Sequence, residues 1–180
     1  MTMIPASWNT TRLSIACATM EDAPRLQEIF RACSYVAQWD ESFQEQPVSA
    51  ITDLIEKSVA ATGGGPELFR MQAVRVGESD EIIGYFHLYH GMPKPEVAYL
   101  SMLVIDPAYQ KLAYGGELTA GLSDQVRTAG YPLFWLRVYL KNWPALRHWM
   151  NNGFTTMKEW RGDTVHSDTT HAGLILEKIL

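Results

Sequence analysis

The stretch LVIDPAYQKLAYGGELTAGL, Leu103 to Leu122, decides how the rest of the chain is read. An apolar run ends at the Asp106-Pro107 corner, a short loop carries Gln110 and Lys111, and Gly115-Gly116 opens an amphipathic segment. The pattern is that of a strand, a tight loop and a helix start. The first amides of a helix have no partner inside it and stand at the positive end of its dipole, so such a junction suits an anion, phosphate before others. Glycines let a ligand approach the backbone closely, and Lys111 adds a charge. Two phosphate loops are excluded by residue. The ATP/GTP loop closes on Gly-Lys-Ser/Thr, whereas Glu117 follows Gly116, and no Gly-x-Gly-x-x-Gly follows a first strand. A plain loop with a glycine turn accounts for these few residues equally well.

Outward from that stretch the chain alternates between two periods. Arg12 to Ala18 reads as a first strand, and Thr19-Met-Glu-Asp22 as a capping box for a helix with Leu26, Ile29, Phe30 and Cys33 on one face. Pro24 is tolerated in its first turn. A loop, SYVAQWDESFQEQP, leads to a second helix with Val48, Ile51, Leu54 and Ile55 on one side, and ATGGGPE (Ala61 to Glu67) ends it as a loop between elements. LFRMQAVRV and EIIGYFHLYHG form a hairpin about GESDE, and EVAYLSMLVI is a strand covered on both faces. A helix from about Gly116 to Ala129 stops at Gly130, and PLFWLRVYL is another core strand. Asn142 caps a short helix with Pro144 in its first turn, and FTTMKEWRG with THAGLILEKIL closes the chain as a strand pair. The order β-α-α-β-β-β-α-β-α-β-β gives an α/β (α+β) fold, a mixed sheet with helices on its faces.

Composition narrows the function. The chain has 180 residues, enough for one domain with a full core, and a net charge of −5, which argues against a long basic stripe for nucleic acid but not against a basic pocket. No run has membrane-spanning length, and MTMIPASWNTTR lacks the apolar core of a signal peptide, so a cytoplasmic protein away from the membrane is expected. Cys17 and Cys33 read as buried free thiols. His166 and His171 lie in a polar loop without ligand spacing, and no metal is expected.

The central stretch resembles the acetyl-CoA-binding motif of the GNAT acyltransferase superfamily. Val104-Ile105-Asp106-Pro107 matches the family's strand-end corner, and Gln110-Lys-Leu-Ala113-Tyr-Gly115 its Gln/Arg-x-x-Gly-x-Gly/Ala loop. IIGYFHL looks like the family's third strand, and Asn142, Ala145, Gly153 and Phe154 look like its second cofactor motif. The opening TRLSIACATMEDAPRLQEIF is similar to the ribosomal-protein N-acetyltransferase branch. The resemblance implies a single domain over 1–180, built on a mixed, mostly antiparallel sheet of about seven strands. It implies that amides from Lys111 through Leu112, Ala113, Tyr114 and Gly115 to Gly116 hold the pyrophosphate of CoA, with Gln110 in the same loop. Pantetheine would pair with Leu103, Val104 and Ile105 where two strands splay, and a strand amide there would stabilise the developing oxyanion. Asn142 would cap its helix and touch pantetheine, with Ala145 one turn on.

Two positions depart from the family. Ala113 stands where glycine is usual, at a cost of about 1 kcal/mol if φ is positive there. Trp149 stands where the family carries its tyrosine acid, and an indole N–H does not release a proton near neutral pH, so Trp149 reads as packing on pantetheine or core. Tyr114, Tyr139 and His148 lie near in sequence, but His148, about 100° round the helix from Trp149, is expected to point elsewhere.

Transfer to an amine needs the amine deprotonated, and Glu96 lies close to where related enzymes place a base; a solvated strand-edge carboxylate is the alternative. The family takes its acceptor into two loops, here QWDESFQEQ and RGDTVHSDTTH. Trp39 beside Asp40 offers charge and a π face to a cationic amine, although a solvated acidic loop has the same composition. The expected activity is direct acetyl transfer from acetyl-CoA to a primary amine, on a small molecule or peptide, in a ternary complex. A non-catalytic acyl-CoA-binding sensor or assembly module of the same fold is the rival. Many relatives pair, so a homodimer belongs to the expectation.

Overall fold

Among the described residues eight strands make one sheet in the computed structural model, which describes residues 1–47, 49–62 and 68–180. The strands are β1 (Ser7–Asn9), β2 (Leu13–Cys17), β3 (Phe69–Val76), β4 (Glu81–His90), β5 (Val97–Ile105), β6 (Leu133–Tyr139), β7 (Thr156–Gly162) and β8 (Ala172–Ile179). They lie in the order β1-β2-β3-β4-β5-β6-β8-β7, and only β5 and β6 run parallel. Four helices, α1 (Ala23–Ala32), α2 (Ala50–Thr62), α3 (Tyr114–Thr128) and α4 (Trp143–Asn151), cover the sheet. The mixed, mostly antiparallel sheet with helices on both faces is the fold the sequence pattern implies, with one strand more than expected.

That extra strand is β1. Three residues carry no readable period, and its pairing with β2 comes from the partner; Trp8 is buried and its indole donates to Gln72 Oε1 at 2.9 Å. The first helix also starts later than the capping box implies. Asp22 is its N-cap without a side-chain cap, and its carboxylate instead accepts from the Thr19 amide at 2.9 Å, so only one half of the reciprocal pair forms. Val48 and most of the ATGGGPE stretch lie outside the described residues. The stripes themselves hold: Leu26, Ile29 and Phe30 on α1 and Leu118, Leu122 and Val126 on α3 are buried. Cys33 is buried, whereas Cys17, expected to be, is only partly so.

Each face has its own core. α3 and α4 pack Leu118, Leu122 and Trp149 on Phe86, Leu100 and Phe134, while α1 and α2 pack Leu26, Ile29 and Ile55 on Phe69, Met71 and Tyr85. Two histidines are sealed into the sheet. His90 accepts from the Ile4 amide through Nε2 at 3.1 Å and donates through Nδ1 to the Leu68 carbonyl at 3.1 Å, pinning the N-terminal arm. Burial pushes His90 down to about 4 and, with the Lys57 charge as a second cause, His87 down to about 3.

Both imidazoles stay neutral in the fold and gain protons on unfolding, near pH 6.5. Stability therefore falls as pH drops below 6.5. We expect urea unfolding to lose about 3 kcal/mol between pH 6.5 and 5, the sum for two such groups. A flat profile over that interval would show that the histidines are not sealed.

Candidate active site

The parallel pair is short. β5 and β6 are in register at only four positions, Val97–Leu133 to Leu100–Leu136, although β5 runs on to Ile105 and β6 to Tyr139. The split begins where Ser101 bulges: Leu100 faces Leu88 and Met102 faces His87 on β4, so Ser101 has no opposite number. The bulge reverses the alternation of side chains. Before it Ala98 and Leu100 join the α3/α4 core; after it Ile105 does, while Val104 joins the α1/α2 core. Past Leu100 the edge of β5 that faced β6 has lost its strand partner.

A cleft of about 640 Å³ occupies the split and connects the two faces of the sheet. On the α3/α4 side it reaches Gly115, Gly116, Asn142, Ala145 and Trp149; on the other it reaches Tyr35, Asp40, Tyr99, Ser101, Arg137 and Tyr139. Its floor includes Leu103, Val104 and Ile105.

At one end stands the loop from the opening stretch. Asp106 turns the corner by accepting from the Ala108 amide at 2.9 Å and from Arg25 Nη2 at 2.6 Å. Gln110 closes it by donating to the Ile105 carbonyl at 2.9 Å. Lys111 and Ala113 then take left-handed conformations, φ +63° and +67°, and Ala113 is the N-cap of α3. Among the described residues nothing accepts from the amides of Lys111 to Gly116. A Cβ built on Gly116 would meet nothing within 4 Å. Six unpaired amides beside open space at a helix start fit a phosphate group.

Arg12 braces that loop from the β1–β2 turn. It donates to Glu117 Oε2 at 2.6 Å and to the Leu112 carbonyl at 3.1 Å, and its guanidinium lies 4.4 Å from the Tyr114 ring centre. Burial pushes the Glu117 carboxyl up, but hydrogen bonds from Thr10 and Arg12 outweigh this and hold it below its ordinary value. Leu112, half exposed, and Tyr114 contribute backbone to the loop and do not line the cleft. Arg12 was not legible in sequence because it lies 105 residues from Glu117.

α4 supplies the facing wall. Asn142 accepts from the Ala145 amide at 3.3 Å as its N-cap. Trp149 is buried, 5.5 Å from Phe154 between ring centres, and reaches the cleft from the core. His148 lines the cleft as well, contrary to the helical-wheel expectation: its Nε2 lies 3.1 Å from Thr119 Oγ1 on α3, which draws the ring across the gap between the helices. Burial lowers its pKa, which keeps it neutral. Cys33 also borders the cleft, but burial and then Asp106 push its thiol up to about 11, so it offers little thiolate.

At the opposite end Asp40 is buried, its carboxylate accepting from the Ser42 amide at 3.1 Å and from the Ser42 hydroxyl. Glu41 accepts from the Tyr139 hydroxyl at 2.8 Å. Burial and then that carboxylate push the Tyr139 pKa well above the usual range. Trp39 lies edge-on to Tyr35 and outside the cleft lining. Glu96 stands in the turn before β5, at the other end of that strand from Asp106, and does not line the cleft. Arg137 and Tyr99 were missed; the available signal was a lone arginine inside the apolar run PLFWLRVYL. Among the described residues no three of His, Cys, Asp and Glu are grouped to hold a metal.

A family model for the acetyltransferase (GNAT) family matches residues 23–154. The chain belongs to that family. Its fold is shared with RimL, a ribosomal L7/L12 alpha-N-protein acetyltransferase solved in complex with coenzyme A, at TM-score 0.74 and 15% identity over 99% of this chain and 98% of that one. The enzyme that modifies the N-terminal serine of L7/L12 in Salmonella typhimurium superposes at TM-score 0.75, 15% identity and 98% of both chains. Spermidine N-acetyltransferase from Vibrio cholerae, solved with CoA and spermine, superposes at 0.70 and 14% identity over 93% of this chain and 95% of that one. No curated protein sequence matches. Among the described residues no helix is long and apolar enough to cross a membrane.

The strain at Ala113 predicts a stabilising change in this GNAT loop. The left-handed conformation costs alanine about 1–2 kcal/mol, and glycine adds about 0.4–1 kcal/mol of unfolded-chain entropy. Ala113→Gly should therefore gain about 0.5–1 kcal/mol in urea unfolding, and any loss would contradict the assigned backbone.

Proposed function

We propose that the protein transfers an acetyl group from acetyl-CoA to a primary amine, on a small molecule or peptide, directly within a ternary complex in the cytoplasm. The observation that carries this reading is the cleft that runs from the unpaired amides at 111–116 through the strand split to a polar end on the other face of the sheet. Acetyl-CoA would supply the activated thioester. The amides of Lys111 to Gly116, with Leu112, Ala113 and Tyr114 contributing backbone alone, would hold the pyrophosphate, and the Lys111 side chain would add charge. Gln110 keeps the loop in place. Leu103, Val104 and Ile105 offer the strand edge along which a pantetheine arm can pair, with Asn142, Ala145 and Trp149 opposite. A β5 amide past Leu100, left without a strand partner, would take the charge that develops on the carbonyl oxygen.

On the acceptor side Asp40, with Trp39 next to it in the chain, would bring negative charge to an ammonium. Glu96 does not reach the cleft, so a role as base would run through water. The departing thiolate needs no protein acid. A thiol has a pKa of about 8.5, whereas burial lifts both Tyr99 and Tyr139 above the usual phenol value near 10. Proton transfer from either phenol would be uphill by 2 kcal/mol or more, taking about 1.4 kcal/mol per pKa unit. Solvent is the better source, and Trp149 in the place of the usual tyrosine agrees with that. The same tryptophan favours the rival reading, a module that binds acyl-CoA without turnover.

Thiol release from acetyl-CoA across polyamines, aminoglycosides, amino acids and short peptides, read beside the melting shift with CoA, separates the two. Release with one amine class is the expected result; a shift without release would identify the binding module. Gly116→Leu should fill the open space at the loop and weaken CoA at least tenfold with the melting temperature little changed. Retained affinity would move the phosphate site elsewhere. Glu96→Gln should lower kcat near pH 7 while CoA affinity holds; unchanged kcat would remove Glu96 from the chemistry.

A further inference from the structure

Three side-chain nitrogens among the described residues are buried without a hydrogen-bond partner, and two of them flank one ring in the cleft. Arg137 lies over the face of Tyr139, its guanidinium 4.5 Å from the ring centre, with Nε unpartnered. His171 meets the same ring edge-on at 6.1 Å, with Nδ1 unpartnered. The arginine sits in a prepared seat. A Cβ at Gly173, on the neighbouring strand β8, would stand 2.8 Å from Arg137 Nε and 3.3 Å from its Cγ, so glycine is what admits the side chain. No carboxylate pairs with this guanidinium among the described residues. Of the acids at this end, Glu41 is engaged by the Tyr139 hydroxyl, and Asp40 is engaged by Ser42.

A partly buried cation that the fold leaves without an anion is costly unless a ligand completes it. Its place is the acceptor end of the cleft, which Asp40 also lines, and Glu41 stands at the far side of the Tyr139 ring from it. We propose that the acceptor is an amine that also carries a carboxylate, and that Arg137 binds the carboxylate in the seat made by Gly173 and Tyr139, with His171 beside it. The amine then lies toward Asp40 and Glu41. The inference rests on the acetyl-transfer reading and deepens it: a zwitterionic acceptor is matched at both ends, whereas a polyamine would set a second positive charge against the guanidinium. The carboxylate can belong to a free amino acid or to an acidic short peptide, since the recognised chemistry is shared. Arg137 is suited to it because its planar fork pairs with both oxygens.

The test compares each acceptor with its uncharged twin: amino acids against their amides, and dipeptides with an acidic second residue against those with the matching amide. Wild-type protein should favour the acids by tenfold or more in kcat/KM. Arg137→Gln should bring that ratio toward one, chiefly through KM for the acids, and Arg137→Lys should restore part of it. Retained melting with CoA shows that the variants are folded. A preference for amides or diamines in the wild type, or a ratio unmoved by Arg137→Gln, would overturn the subsite and leave acetyl transfer standing. If no amine is acetylated, the transfer reading has failed, and the subsite is read by calorimetry of amino acids into CoA-saturated protein. Binding lost in Arg137→Gln would uphold it; no binding to the wild type would overturn it. Preference for amino acids over dipeptides, or the reverse, names the source.

Discussion

The parting of β5 from β6 after four residue pairs governs this molecule. A continuous sheet would hide its middle behind helices on both sides. Here the bulge at Ser101 spends one residue without a partner, turns the later side chains over and leaves a strand edge unpaired. The consequence is a passage through the sheet: residues of β6 with even numbers, Leu136 and Val138, belong to the α3/α4 core, while Arg137 and Tyr139 look to the other side. Groups from the α3/α4 side and groups from the α1/α2 side thus border one cleft though they lie on opposite faces.

The amide loop depends on the same split, because it follows directly from the end of β5. Two non-glycine residues in left-handed conformation, Lys111 and Ala113, turn successive amides outward at a cost of about 1–2 kcal/mol each. That strain persists because the loop is fastened at several points. Asp106 is tied to Arg25 on α1, Gln110 to the Ile105 carbonyl, and the helix start to Arg12 through Glu117 and the Leu112 carbonyl. The bonds come from elements on both faces, so the loop reports on the integrity of the whole fold.

Charge at the Asp40 end of the cleft is distributed unevenly for the same reason. Both nearby carboxylates are engaged by neighbours, while the guanidinium rests on the Tyr139 ring and, among the described residues, has no carboxylate. Packing made room for that cation by withholding a side chain at Gly173, a position that on sequence alone is one small residue inside a strand.

Much of this was legible in order along the chain. Among the described residues, periodicity located seven of the eight strands and all four α-helices, because each buries a stripe or an alternating face long enough to leave a pattern; β1, at three residues, leaves none. The loop at Gln110 to Gly116 was legible because helix starts and glycines act locally; for Ala113 the family's motif raised a left-handed backbone only as a condition, and the structure supplies it at φ +67°. Glu96 and Trp39 show the limit. Both have suitable chemistry and sit beside the right elements, yet neither lines the cleft, since sequence proximity does not say toward which side a turn residue points. The sequence by itself determined the elements, their faces and the glycine loop that opens a helix, all of which rest on contacts within a few residues. Only the tertiary structure decided that the sheet opens at Ser101 and that Arg137, Tyr139, Glu41 and His171 meet there, because those positions come together through strand register and loop packing across separations of as many as 130 positions in the chain, from Glu41 to His171.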